Sequence, residues 1–550
     1  MTKIFDIFNR KSTPQSMPIP GAGQVANSAG GFAWALDDWA RLDRFLILGT
    51  EGGTYYISER SLTIDNVSAV SRCIQSDGLR TVRRIVEISE AGRAPKNDPA
   101  LFALALAASY GEPAVRKSAL QNLPRVARTG THLFHFMQYV DGMRGWGRGL
   151  RAAIAAWYAD KPAEDLVYQS IKYRQRDGWT HRDALRLAHP VARTEVENHV
   201  YHWITQGWPE IGPEPHPDPV LRTIWAFEKL QVAGTEDEVI QLVTDYHLPW
   251  ETVPSQWLAS ARVWEALLPH LPLTASLRNL GRMTANGCLT QHSPGVKLVV
   301  QRLTSAEALK SARVHPLSIL TALKTYEQGH GDRGSLAWQP VRQVVDALDE
   351  AFYLSFGSVE PMGKKVMLAL DVSGSMVGSR IAGMNLTARE GAAAMALVTA
   401  NVEPDYVVTI FSSAGTNFMQ SGSKRYQIVD GLSTFAISPR QRLDDVVRKT
   451  SNLPFGGTDC ALPMLYALHA GLMIDVYCIY TDSETWAGAI HPSQALQLYR
   501  QKTGIPAKLV VVGMTSNGFT IADPSDAGMM DVVGFDPAAP QAIKEFANLT

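Results

Sequence analysis

Up to about Phe356, apolar residues recur at spacings of three and four between capping signals, the period of amphipathic helices. The stretch from Asp98-Pro99 through Ala100-Leu-Phe-Ala-Leu-Ala-Leu-Ala-Ala-Ser109 to Gly111 supplies an N-cap acceptor, a proline at the first helical position and a terminating glycine. Pro113 opens another helix with Val115, Leu120, Leu123 and Val126 on its apolar face, and similar units continue through Leu317-Ser-Ile-Leu-Thr-Ala-Leu323. Helix following helix predicts an α-solenoid of stacked helical hairpins; the chain has no strict sequence repeat, so this rests on pattern.

The pattern changes around Gly357-Ser-Val-Glu-Pro-Met-Gly363. Lys364-Lys-Val-Met-Leu-Ala-Leu-Asp371 reads as a buried strand ending in a carboxylate, and β-like runs follow at Tyr406–Phe411, Ile474–Tyr480 and Lys508–Val512, alternating with helical stretches such as Ala382–Ala400. Strands alternating with helices predict a doubly wound α/β domain whose parallel sheet is covered on both faces. The expected division is therefore a helical domain over 1–360 and an α/β domain over 361–550. A length of 550 residues agrees, since one hydrophobic core rarely extends beyond roughly 250 to 300.

Other features narrow the class. Cys73, Cys288, Cys460 and Cys478 form no C-x-x-C pair, which excludes a zinc knuckle and suggests no disulfide framework, so a reducing compartment is expected. The opening Met1-Thr-Lys-Ile-Phe-Asp-Ile-Phe-Asn-Arg10 lacks the apolar core of a signal peptide, and no apolar run approaches the ~18 residues of a membrane span. The expectation is a cytoplasmic protein with no membrane partner. A net charge of -1 argues against a nucleic-acid ligand, but the distribution reverses that: Gly111–Pro190 holds thirteen Lys and Arg against seven Asp and Glu, a surplus of six positive charges.

In open α/β sheets, ligands bind beyond the carboxyl ends of the strands, where Asp371 and Asp482 both sit. Asp371-Val-Ser-Gly-Ser375 places a carboxylate and two hydroxyls on one loop, with Gly374 expected to permit the bend. Gly456-Gly-Thr-Asp459 adds the Thr458 hydroxyl, and Tyr480-Thr-Asp-Ser-Glu484 adds the second carboxylate. Few anionic ligands, several neutral oxygens and room for water describe a hard-cation site, Mg²⁺ before Ca²⁺, that an acidic protein partner could complete. A D-x-S-x-S alone is equally an ordinary capping turn. Asp371, Ser373, Ser375, Thr458 and Asp482 in this order resemble the metal-ion-dependent adhesion site of von Willebrand factor A domains, a Rossmann-like fold.

Longer strings resemble one family. Gly456–Met464, Tyr480-Thr-Asp-Ser-Glu-Thr-Trp-Ala-Gly488 and Phe519-Thr-Ile-Ala-Asp-Pro524 are similar to the Ro autoantigen family's version of the A domain. Gln24-Val-Ala-Asn-Ser-Ala-Gly-Gly31, Arg44–Tyr56 and Tyr173-Arg-Gln-Arg-Asp-Gly-Trp-Thr-His-Arg-Asp183 resemble its TROVE module. The resemblance implies a ring of HEAT-like helical repeats followed by the A domain, binding small structured Y-like RNAs and single-stranded 3′ ends of misfolded RNAs, with an exoribonuclease as partner. Its Y RNA contact motif falls on Lys172, Arg176 and His189. Lys172 and Arg176, four apart, would share one helical face and suit phosphate; a solvated charged helix is the plainer reading. Arg174, Arg182 and Arg186 add charge that Asp177 and Asp183 can partly pair. The lack of long charged tails fits a compact bacterial member.

Two motifs remain. His132-Leu-Phe-His135 lacks a nearby third ligand and reads as helix packing. Gly145-Trp-Gly-Arg-Gly149 would either stack a base on Trp146 beside Arg148 or form a loop with a buried indole. Cys460 reads as a small buried residue. An enzyme is not expected: Gly363-Lys364, the chain's one Gly-Lys, lacks the earlier glycine of a P-loop, and Ser373 stands where an aspartyl phosphatase wants a second carboxylate. Two functions compete, an RNA-binding ribonucleoprotein component and a metal-dependent protein-adhesion scaffold.

Overall fold

The computed structural model describes residues 12–208, 214–331, 334–357, 359–416, 430–438 and 441–549. It falls into two compact units: Ser71–Leu354 forms one, and Met1–Val70 joins Ser355–Thr550 in the other. The expected break near 360 lies close to Ser355, but the first seventy residues belong with the α/β unit instead of the helical one.

The Ser71–Leu354 unit is a succession of helices. Helix Asp98–Tyr110 forms as the pattern predicts, with one shift: the residue before it, Asn97, holds the N-cap position, and Asp98 is already helical. The Asn97 side chain is occupied elsewhere, accepting from the Ser89 hydroxyl at 2.7 Å and donating to the Val126 carbonyl at 2.8 Å. Gly111 ends the helix at an ordinary φ of -64°. Space requires the glycine there, since a Cβ would stand 2.6 Å from the Ala107 carbonyl oxygen and 2.7 Å from Val115. Val115, Leu123 and Val126 are buried as expected, yet the chain breaks at Asn122 into helices Pro113–Gln121 and Leu123–Val126.

The other unit is built on a six-stranded sheet in the order Met529–Val533, Lys508–Gly513, Val476–Thr481, Val366–Asp371, Tyr406–Phe411, Leu432–Thr434. Five strands are parallel and the edge strand Leu432–Thr434 is antiparallel, so the sheet is mixed where an all-parallel one was expected. Val366–Asp371 and Val476–Thr481 are buried at every residue, which is why they read as continuous apolar runs. The chain runs from Val366–Asp371 outward to one neighbour, then returns to place Val476–Thr481 on the opposite side. The crevice at the ends of these two central strands is the topological switch point, where such sheets bind ligands. Helix Ala388–Val402 starts six residues later than predicted, at the Thr387 capping box with Glu390.

The amino-terminal segment completes this unit. Strands Val25–Ala26 and Phe32–Ala35 pair with Phe519–Thr520 in a three-stranded sheet, and helix Asp38–Leu48 follows. From that helix Arg44, 1% exposed, forks onto both carboxylate oxygens of Asp531 at 2.9 and 2.6 Å and onto Asn517 Oδ1 at 3.1 Å. No helix among the described residues is long and apolar enough to cross a membrane. Replacing Arg44 by Met leaves the Asp531 carboxylate buried without its cation. The expected loss is about 3–5 kcal/mol of stability, read from the urea midpoint; a change within about 1 kcal/mol would show that the fork contributes little.

Candidate functional site

All five predicted metal ligands converge at the switch point and all are buried: Asp371, Ser373, Ser375, Thr458 and Asp482. Asp371 ends the central strand, its Oδ1 accepting the Ser373 N–H at 2.9 Å and its Oδ2 the Thr481 hydroxyl at 2.6 Å. The Ser373 and Ser375 hydroxyls lie 3.1 Å apart. Gly374 needs no special bend, contrary to expectation. It is the first residue of the short helix Gly374–Gly378, and its N–H is tied to the Gly456 carbonyl at 3.1 Å.

The Gly456–Gly457 turn is fixed by close approach: a Cβ on Gly456 would stand 2.5 Å from Thr416 Oγ1 and one on Gly457 2.7 Å from the Trp486 indole. Ser412 binds both ends of this turn, accepting from the Gly456 N–H and donating to the Gly457 carbonyl, each at 2.8 Å. The Thr458 carbonyl accepts from the Trp486 and Ala487 amides, which leaves its hydroxyl inside the cluster.

Three buried oxygens here have no hydrogen-bond partner: Thr458 Oγ1, Asp482 Oδ2 and Ser483 Oγ. Buried acceptors left unpaired are costly, and a hard cation ringed by carboxylate and hydroxyl oxygens would satisfy them. The residues present therefore fit a divalent metal. Charge argues the same way. Burial, then the neighbouring charge of Asp482, pushes Asp371 up to about 7, and the same two causes push Glu484 up to about 7.

Glu484 was not among the predicted site residues, nor were Thr481 and Ser483. Glu484 is 1% exposed and accepts the Ser28 and Ala29 amides at 2.8 and 3.0 Å, while Ser483 sits at φ 62° between the two acids. Gln15 reaches in beside them, donating to Asp459 Oδ1 at 2.7 Å and accepting from the Thr485 hydroxyl. The Tyr480–Glu484 string carried a visible signal in its second acid. The amide donors from the other end of the chain carried none.

The predicted RNA contacts lie in the helical unit. Helix Ala163–Lys172 ends at Lys172, and Arg176 stands on a hairpin of Gln175–Arg176 with Trp179–Thr180, so the four-residue spacing is not that of one helical face. The two side chains differ accordingly. Lys172, with 7% of its side chain exposed, donates to the Tyr168 hydroxyl at 2.8 Å, lies over the Tyr168 and Tyr173 rings and approaches Glu251 at 3.9 Å. Arg176 is 57% exposed.

Helix His181–Ala188 presents Arg182 and Arg186 to solvent one turn apart, and His189, at φ 50°, caps its end in the open. Arg174 is exposed with its guanidinium 5.5 Å from the Phe227 ring. The acids expected to neutralise this stripe are engaged locally. Asp183 closes a capping box with Thr180, and Asp177 binds His135 Nδ1, with Arg176 Nε at 3.7 Å. His135 thus serves as a clamp for that hairpin, and His132 is half-buried on the same helix.

An α/β unit of this topology carrying a strand-end oxygen cluster is of the von Willebrand factor A class, here joined to an α-helical unit. Residues 365–547 match the Ro60 vWA domain model, and residues 25–209 and 246–325 match the TROVE domain model. The chain is 42% identical to RNA-binding protein RO60 of Deinococcus radiodurans, over 100% of this chain and 99% of that protein. It is 35% identical to RNA-binding protein RO60 of Caenorhabditis elegans, over 98% and 92% respectively. The crystal structure of the Deinococcus radiodurans RO (RSR) protein superposes with a TM-score of 0.68 at 41% identity, covering 93% of this chain and 99% of that one. The chain belongs to the Ro60 family.

Beneath the cationic helix, His181 is wholly buried with its Nδ1 2.7 Å from the Tyr158 hydroxyl, and burial pushes its pKa down to about 4. A folded-state value below the ordinary 6.5 means stability present above pH 6.5 and lost as pH falls toward 4. The His181→Gln variant is expected to remove that share of the acid sensitivity, on the order of 3 kcal/mol, in urea midpoints measured between pH 7 and 4. Parallel wild-type and variant curves would contradict it.

Proposed function

We propose that this chain is a non-catalytic, RNA-binding ribonucleoprotein component of the cytoplasm. It binds small structured Y-like RNAs and single-stranded ends of misfolded RNAs, and works in RNA quality control or processing beside an exoribonuclease. The observation that carries this reading is end-to-end similarity to two proteins named RNA-binding protein RO60. The exposed stripe of Arg176, Arg182, Arg186 and His189 supports it, because its cations are not consumed by Asp183, which caps its own helix. Lys172, held among Tyr168, Tyr173 and Glu251, acts by shaping the base of the hairpin.

The test is binding to a stem-loop RNA with a single-stranded 3′ tail across a salt series. The Arg176→Ala/Arg182→Ala/Arg186→Ala variant should bind more weakly and shallow the logarithmic salt slope by about two to three. Equal slopes would remove the stripe from the contact surface.

The orphaned oxygens favour a second role that is compatible with the first. Asp371, Ser373, Ser375, Thr458 and Asp482 would hold a divalent cation, Mg²⁺ by the hardness of its donors, and the cation would supply a positive centre for an acidic side chain of a protein partner. Calorimetric titration with Mg²⁺ should give saturable heat that Asp371→Ala lowers at least tenfold in affinity. Indistinguishable isotherms would contradict the site. If RNA binding is absent while metal-dependent protein capture persists, the chain is an adhesion scaffold.

A further inference from the structure

The hairpin that follows Lys172 turns through Asp177 and Gly178, at φ 53° and 81°. Two successive positive φ values make the two-residue turn whose twist matches the strands, and Arg176 pairs directly with Trp179 across it. Two bonds fasten the hairpin to helix Gly130–Met143: Asp177 binds His135, and the Trp179 indole N–H donates to Gln138 Oε1 at 2.9 Å. The Trp179 ring is thereby fixed in place while still partly open to solvent, with Trp146 beside it at 5.4 Å between centroids and an angle of 45°. Beside this ring lies a shallow cleft wide open to solvent, lined by Gln138, Asp177, Gly178, Trp179, Asp183, Arg186 and Leu187.

An indole fixed by its own hydrogen bond loses little further freedom when a flat ligand stacks on it. The rim groups carry both polarities. Gln138 gives its oxygen to Trp179 and keeps its amide donors, Arg186 adds a guanidinium, and Asp183 holds Thr180 through Oδ2 alone, which leaves Oδ1 as an acceptor. A paired base in a helix cannot present its face to a side chain, whereas an unpaired one can. Among the bases, guanine combines acceptors suited to an arginine with N–H donors suited to a carboxylate.

We propose that this cleft receives one unpaired guanine of the bound RNA, stacked on Trp179 with its edge between Arg186 and Asp183. The proposal rests on the RNA-binding reading above and adds to it a base-reading site. Trp179 forms the stacking wall, and Trp146 packs against it at 5.4 Å between ring centroids.

The experiment compares three stem-loop RNAs identical except for one bulged position, carrying guanine, uracil or no bulge, by fluorescence anisotropy with the full chain. Wild type should bind the guanine bulge roughly tenfold more tightly than the unbulged stem, with uracil between them. Trp179→Ala should abolish that difference, read as the ratio of guanine-bulge to unbulged-stem affinity within the same variant so that any loss common to all three RNAs from unfastening the hairpin cancels. Trp179→Phe, which keeps a stacking face but not the bond to Gln138, should retain more of the ratio than Trp179→Ala. Tryptophan fluorescence of the wild type should be quenched by the bulged RNA only. Equal loss on all three RNAs would reduce Trp179 to a structural residue and overturn the proposal, as would a Trp179→Ala variant that still discriminates. If wild type binds the three RNAs alike and tightly, RNA binding stands and the cleft is not a base site; if it binds none, the RNA reading itself falls.

Discussion

Three carboxylates, Asp371, Asp482 and Glu484, are buried together where two parallel strands end. Burying like charges together is unfavourable unless donors or a cation surround them, and much of this unit is arranged to provide donors. Thr481 and the Ser373 amide serve Asp371; the Ser28 and Ala29 amides serve Glu484; Asn517 Nδ2 donates to the Asp482 carbonyl at 2.6 Å and so fixes the loop that carries both acids. Two of these donors come from the amino-terminal segment. That is a physical reason for the first seventy residues to pack on the α/β unit: without them one carboxylate of the cluster would lose its amides.

This also explains what was legible in advance. The alternation of strands and helices gave the α/β fold because its central strands are buried on both faces and so appear as plain apolar runs. The five candidate oxygen ligands could be picked out because their spacing is local, three on one loop and one on each of two others. Glu484 was visible but unassigned, since nothing near it in the chain shows that it is buried. The amides of Ser28 and Ala29, or the Gln15 bridge to Asp459 and Thr485, have no sequence signature at all; any residue offers a backbone N–H. Pattern placed the break close to Ser355 but could not show, for the same reason, that the first seventy residues pack with the α/β unit. A boundary read from pattern assumes that neighbours in sequence are neighbours in space.

In the helical unit the error was smaller and also local. Lys172 and Arg176 fit a helical spacing, but Asp177-Gly178 is a turn signal, and the turn won. The consequence separates two cations that charge counting treats alike: Lys172 is enclosed by aromatic rings, while Arg176 projects from the hairpin. Of the two acids expected to pair part of this charge, Asp177 lies 3.7 Å from Arg176 Nε, and both also hold the scaffold. Asp183 caps its helix and Asp177 clamps the hairpin, so a locally basic sequence folds into a surface with exposed positive charge.

The contacts of the amino-terminal segment also set an order of events during synthesis. Asn27 finds the Thr485 carbonyl 458 positions along the chain, and Arg44 finds Asp531 after 487. On the ribosome, this segment emerges well before its partners and must remain without them while the intervening helices are made and fold from local contacts as they appear. The strands Val25–Ala26 and Phe32–Ala35 spend that interval as an unfinished sheet edge, waiting for Phe519–Thr520 to arrive.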